Sequence, residues 1–167
     1  IHTPWKVKFE ERRQGPKESV VFNTLTDWIT SEDPRIKYYS GTADYTNTFT
    51  IKEIPSQPTY INLGKVVAMA KVYLNGKYVG GAWTYPYRLN ITDYLQKGEN
   101  TVKIEVVNNW VNRLIGDLKL PAEQRSTWTM VNPWRDDSQL QSSGLFGPVR
   151  IESHDYELLK FSPLSDN

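Results

Sequence analysis

The sequence predicts an all-β fold, a single antiparallel β-sandwich, and three observations lead there. Short β-type segments recur along the chain with turn signals between them. No stretch carries the apolar period of a long amphipathic helix. Near the middle, Ala70, Val72 and Leu74 alternate with Lys71 and Tyr73, then Asn75-Gly76 supplies the two positive-φ residues of a type I′ turn before Lys77, Tyr78 and Val79 return.

In chain order, strands are expected over residues 5–10, 19–23, 45–51, 59–63, 69–74, 77–80, 101–108 and 149–153. After the central hairpin, residues 90–95 with Lys97-Gly98 read as one helical turn, capped by Asn or Thr and stopped by Gly. Leu89, Ile91 and Leu95 are placed to plug one end of the sandwich. The strand after it puts Val102, Ile104 and Val106 on a core face, with Lys103 and Glu105 on a wet one. Regular periodicity then fades from residue 109 to 147, a stretch holding Gly116, Pro121, Pro133, Gly144 and three Trp. A loop of that length is usually functional or packs against a neighbour.

The 167 residues fit one domain with a substantial core, expected over 1–162 with a frayed tail at 163–167. A chain opening at Ile1, inside what reads as a strand, is expected to be a processed form or part of something longer. Formal net charge is +1, and the basic residues are scattered, which argues against nucleic acid and anionic membrane as partners. The longest apolar runs, such as residues 66–70, are far too short to span a bilayer. With no Cys there are no disulfides and no thiolate metal ligands.

Six Trp and ten Tyr remain, most of them in polar, turn-rich stretches. Aromatic faces beside amide, guanidinium and carboxylate groups suit a sugar, whose C–H faces stack while its hydroxyls take directional hydrogen bonds. Trp83, Tyr85 and Tyr87 alternate along an extended stretch, so their side chains should share one face, as a sugar platform or as an aromatic core layer. Trp128 and Trp134, near Arg135, Asp136 and Asp137, could stack on a glycan or on a neighbouring domain. Asn109, Trp110, Asn112, Arg113 and Asp117, following Asn108, have two readings: polar groups that pin a long loop, or groups that grip sugar hydroxyls.

Asp44, Asp117, Asp136 and Asp137 are the hard oxygen donors a structural calcium would use, but no spacing resembles a dedicated calcium loop. His2 and His154 lie far apart in sequence and are read as surface residues, so no transition-metal site is expected. Catalysis by a glycosidase would need two carboxylates about 5–10 Å apart. Glu105 and Asp117 are candidates by type, yet no motif singles them out. Ser40-Gly41 and Ser143-Gly144 lack a nucleophile-elbow context. No catalytic residue is expected in this chain.

The order of motifs resembles the sugar-binding jelly-roll domain of glycoside hydrolase family 2. The resemblance rests on Tyr38-Tyr39-Ser40-Gly41-Thr42-Ala43-Asp44-Tyr45, Thr48-Phe49, Ile61-Asn62-Leu63-Gly64 and the run from Ala70 through Asn75-Gly76 to Gly80. It continues through Trp83, Pro86-Tyr87, Ile91-Thr92, Leu95, Gly98-Glu99-Asn100 and Ser143-Gly144-Leu145-Phe146-Gly147-Pro148-Val149. The segment from Val107-Asn108-Asn109-Trp110 to Asp117 is most similar to the C-terminal β-sandwich of the family 106 α-L-rhamnosidases.

The resemblance implies a jelly roll of the galactose-binding type, in a secreted or periplasmic bacterial enzyme whose catalytic carboxylates lie on a separate barrel. The partners it implies are a glycan and that catalytic domain. It also implies that Asn109, Asn112, Arg113 or Asp117 touches substrate only in the full-length enzyme, as the corresponding loop does in family 2 β-galactosidases. The competing expectation is a module that binds no sugar and buttresses the catalytic domain through residues 109–147.

Overall fold

A computed structural model of the chain describes residues 1–153. In chain order it contains β1 (Trp5–Phe9), β2 (Val20–Phe22), α1 (Pro34–Lys37), β3 (Thr42–Ile51), β4 (Thr59–Asn62), β5 (Lys65–Val67) and β6 (Met69–Leu74). Then follow β7 (Lys77–Ala82), β8 (Arg88–Asn90), β9 (Gly98–Val107), α2 (Val111–Leu118), β10 (Gly144–Gly147) and β11 (Arg150–Ser153). His154, the remainder of the expected domain to residue 162 and the expected tail at 163–167 lie outside the described residues.

Two antiparallel layers enclose one core, as expected. The larger is a six-stranded sheet in the order β2-β1-β3-β9-β6-β7. Facing it are β11-β4-β8 and the pair β10-β5. Gly64 and Gly147 bridge the two smaller groups. Gly64 sits at φ +68°, and a Cβ there would lie 2.2 Å from the Gly147 carbonyl oxygen, so only glycine fits the crossing.

Alternation sets the inner face of the large sheet. Trp5, Val7 and Phe9 of β1, Ala43 and Tyr45 of β3, Ala70, Val72 and Leu74 of β6 and Val102, Ile104 and Val106 of β9 are all buried. The opposing layer adds Ile61, Leu63, Val66, Leu145 and Val149. At one end Trp28 packs edge-on against Phe9 and Tyr39, with ring centroids 5.4 and 5.6 Å away. Its indole Nε1 donates to the Tyr45 hydroxyl at 2.6 Å.

The Asn75-Gly76 hairpin forms, with both residues at positive φ. The Asn75 side chain also donates to the Tyr94 carbonyl and to Asn100, and it accepts from the Thr101 amide, so the turn is tied to the start of β9. The expected helical turn is a 3-10 turn over Thr92–Tyr94, with the Asn90 side chain accepting from the Thr92 amide.

Two expectations fail. Trp83, Tyr85 and Tyr87 do not share a face, because the strand ends at Ala82 and the chain then bends. Trp83 and Tyr85 are exposed, while Tyr87 packs against the core. Residues 109–147, expected to be irregular, contain the helix α2 and strand β10; β5 and β8 are further short strands that the sequence did not reveal.

Candidate functional site

The site is built where β9 leaves the large sheet. Asn108 is buried at the strand end, donating to the Tyr39 carbonyl at 2.6 Å and accepting from the Gly41 amide at 3.0 Å. Asn109 follows, and its side-chain oxygen accepts from the Val111 amide at 3.1 Å, satisfying one free donor at the start of α2.

The inward face of α2 is polar. Asn112, Arg113 and Asp117 are all buried beside Ile115 and Gly116. Asn112 holds the Gln141 backbone from both sides, donating to its carbonyl at 2.6 Å and accepting from its amide at 2.8 Å. Arg113 Nη2 meets Asp117 Oδ1 at 2.8 Å. Asp117 Oδ2 also accepts from the amides of Ser126 and Thr127, at 2.9 and 2.8 Å, and from both their hydroxyls, at 3.0 and 2.7 Å. Burial pushes the Asp117 carboxyl up, but the Thr127 and Ser126 hydrogen bonds and the Arg113 charge outweigh it, leaving the group below its ordinary value.

Asn112, Arg113 and Asp117 therefore fasten the return of the loop through residues 126, 127 and 141. Trp110 differs from them: it is 56% exposed, and the Arg13 guanidinium lies 5.9 Å from the centroid of its ring. A cavity of about 130 Å³ opens beside it, lined by Arg12, Arg13, Gln14, Ser40, Trp110, Arg113, Ser126 and Thr127. Arg12, Arg13 and Gln14 come from the turn after β1, where no spacing in the sequence marked them. On the other flank of α2, a cavity of about 400 Å³ is lined by Leu114, Asp117, Leu118, Arg125, Trp128 and Asn132 among others.

The structure thus gathers Asn109, Trp110, Asn112, Arg113 and Asp117 on α2 and the two residues that lead into it, with Trp128 lining the second cavity beside Asp117. Trp128 is 84% exposed, and Met130 and Val131 follow it into solvent. Trp134 is half-buried and Trp83 lies beyond the edge strand β7; neither lines these two cavities.

Among the described residues no three acidic or histidine side chains gather to hold a metal ion. Asp44 faces Glu105 across the β3–β9 ladder, and the Asp117 oxygens accept from Arg113, Ser126 and Thr127. Glu105 is likewise engaged, by Lys103 at 2.6 Å and by the Tyr73 hydroxyl at 3.3 Å.

The sequence pattern of the glycosyl hydrolase 2 galactose-binding domain-like family matches residues 13–139. The chain belongs to that family. As a galactose-binding-like domain it superimposes on part of a rhamnosidase from Novosphingobium sp. PP1Y with TM-score 0.84 and 40% identity, over 90% of this chain and 14% of that one. The "Putative beta-glucuronidase" of Formosa agariphila is 37% identical over 158 residues, covering 79% of this chain and 14% of the relative. A "Beta-galactosidase" of Priestia megaterium is 31% identical over 157 residues, covering 87% of this chain and 13% of the relative. The domain corresponds to about a seventh of the length of each.

Proposed function

We propose that this galactose-binding-like domain is the non-catalytic sugar-binding module of a larger, α-L-rhamnosidase-like glycoside hydrolase, which positions a glycan or completes the active site of a catalytic domain in the same parent chain. The observation that carries the proposal is Trp110, half in solvent at the mouth of a cavity whose other walls are guanidinium, amide and hydroxyl groups. The 40% identity to a rhamnosidase domain supports the parent class, and the small share of each relative that is covered supports a catalytic partner elsewhere. Glu105 and Asp117 are both held by cations within the fold, which leaves neither as a poised acid or nucleophile. A glycan-degrading parent of this kind works outside the cytoplasm, secreted or periplasmic.

A second reading is favoured by a different observation. Trp128, Met130 and Val131 are exposed on one irregular segment, as a surface covered by a neighbouring domain would be. In that case the module buttresses the catalytic domain and takes no sugar.

Calorimetric titration of the chain with α-L-rhamnosyl, β-galactosyl and β-glucuronosyl oligosaccharides separates the two. Saturable binding of any of them supports the sugar module. Heat of dilution alone up to ~1 mM sites the domain's role in docking.

A further inference from the structure

Three of the residues lining the cavity beside Trp110 are arginines, and no carboxylate is among the lining residues. The arginines differ in how far they are satisfied. Arg12, itself exposed, pairs with the partly buried Glu10 at 2.8 Å, a contact that solvent around the guanidinium keeps small in energetic weight. Arg113 directs Nη2 to Asp117 and Nη1 to the Gln14 side-chain oxygen at 3.3 Å, while its Nε is buried without a hydrogen-bond partner. Arg13 makes no salt bridge among the described residues; the Trp110 ring lies 5.9 Å from its guanidinium, and its charge is near enough to help hold the Glu10 carboxyl below its ordinary value.

A guanidinium donates and never accepts, so three of them call for an acceptor-rich ligand. The remaining walls specify more. Ser126 and Thr127 donate their hydroxyl protons to Asp117, so their oxygens present lone pairs, which suit the hydroxyls of a sugar. The Gln14 oxygen is taken by Arg113, which leaves its amino group as a donor. Trp110 offers a ring for an apolar C–H face. At about 130 Å³ the cavity is well below the ~300–1,000 Å³ of drug-sized sites, and takes one small ring rather than a chain.

We propose that this cavity is a subsite for a hexuronate, a pyranose whose ring carboxylate is held by Arg13 and Arg12 while its hydroxyls meet Ser126, Thr127 and Gln14. The planar fork of arginine matches a carboxylate with two parallel hydrogen bonds, and this favours a uronate over a neutral hexose of the same shape. The inference rests on reading the domain as a sugar module and adds to it the charge of the sugar.

The test is calorimetric titration of the 167-residue chain, at low ionic strength, with methyl glucuronide, methyl glucoside and sodium sulfate. The uronide is expected to bind roughly tenfold or more tightly than the glucoside, the scale of one charge-assisted hydrogen bond. Arg13→Gln collapses that ratio towards one, Arg13→Lys restores part of it, and Lys97→Gln, an equal change of charge on an exposed turn, leaves it unchanged. Equal affinity for uronide and glucoside overturns the subsite and leaves the neutral sugar module standing. A preference that survives Arg13→Gln, or sulfate that competes as well as the uronide, also overturns it. If circular dichroism shows a folded chain and no sugar binds, both this inference and the sugar module fall.

Discussion

Arg113 and Asp117 form a buried ion pair one helical turn apart, Nη2 to Oδ1 at 2.8 Å, and the carboxylate of that pair organises the loop that returns past it. Arg113 and four donors of Ser126 and Thr127 converge on the Asp117 carboxylate. The loop from residue 119 to 127 thus folds around a charge, and Trp110 and Trp128 emerge on either side of it.

Removing that charge leaves Arg113 buried and uncompensated. Asp117→Asn is expected to cost about 3–5 kcal/mol of unfolding free energy, read from the urea midpoint at unchanged slope.

The pH dependence has a defined sign. The folded Asp117 carboxyl lies below its ordinary value of 3.8, so its stabilisation is complete above about pH 3.8 and is lost as pH falls through the lower folded value. Asp44 behaves in the opposite way. Burial, with Glu105 and Glu10 nearby, raises its carboxyl against the pull of Lys103, so its ionised form penalises the fold as pH rises past 3.8. Unfolding curves at pH 3 and pH 7 should therefore show Asp44→Asn gaining stability relative to wild type at pH 7 but not at pH 3, and Asp117→Asn losing its deficit towards acid.

Gly116 offers a test in which two effects oppose each other. In an ordinary helix Gly→Ala gains about 1 kcal/mol. Here an added Cβ would meet Tyr38 Cγ at 2.6 Å and Tyr38 Cβ at 2.8 Å, atoms close to the backbone that yield little. Gly116→Ala is expected to destabilise by about 1–3 kcal/mol, measured by thermal or urea unfolding.

Two tryptophans with similar names in the sequence should behave very differently. Trp28 is fully buried between Phe9, Tyr39 and Tyr45, and Trp28→Ala is expected to cost about 3–5 kcal/mol. Trp128→Ala, in solvent, should stay within about 0.5 kcal/mol of wild type in the same assay.

Much of this fold is legible in the sequence because its strands bury one face and wet the other. Val102, Ile104 and Val106 announce β9, and Asn75-Gly76 announces the hairpin register. What stayed hidden had a physical reason in each case. α2 does carry helical spacing, at Val111, Leu114, Ile115 and Leu118, but over only eight residues broken by Gly116, too short a run for the period to stand out, and the face it buries is mostly the polar one of Asn112, Arg113 and Asp117. β5 and β8 have three residues each, too few to show alternation. Trp83 and Tyr85 alternate like strand residues but lie past the end of β7. At the site, Trp110 and its polar neighbours were visible as types, whereas Arg12, Arg13 and Gln14 reach the cavity only through the packing of the turn after β1 against α2.

The most direct test uses the six tryptophans as separate reporters. In a ¹⁵N-labelled chain the indole N–H signals, assigned by single Trp→Phe variants, are followed while rhamnosyl and glucuronosyl oligosaccharides are added. A sugar site beside α2 predicts that the Trp110 signal shifts saturably while buried Trp5 and Trp28 stay still, and that Trp110→Ala weakens binding by about 1–3 kcal/mol. A shift confined to Trp83 or Trp128, or six unmoved signals at saturating sugar, would contradict it.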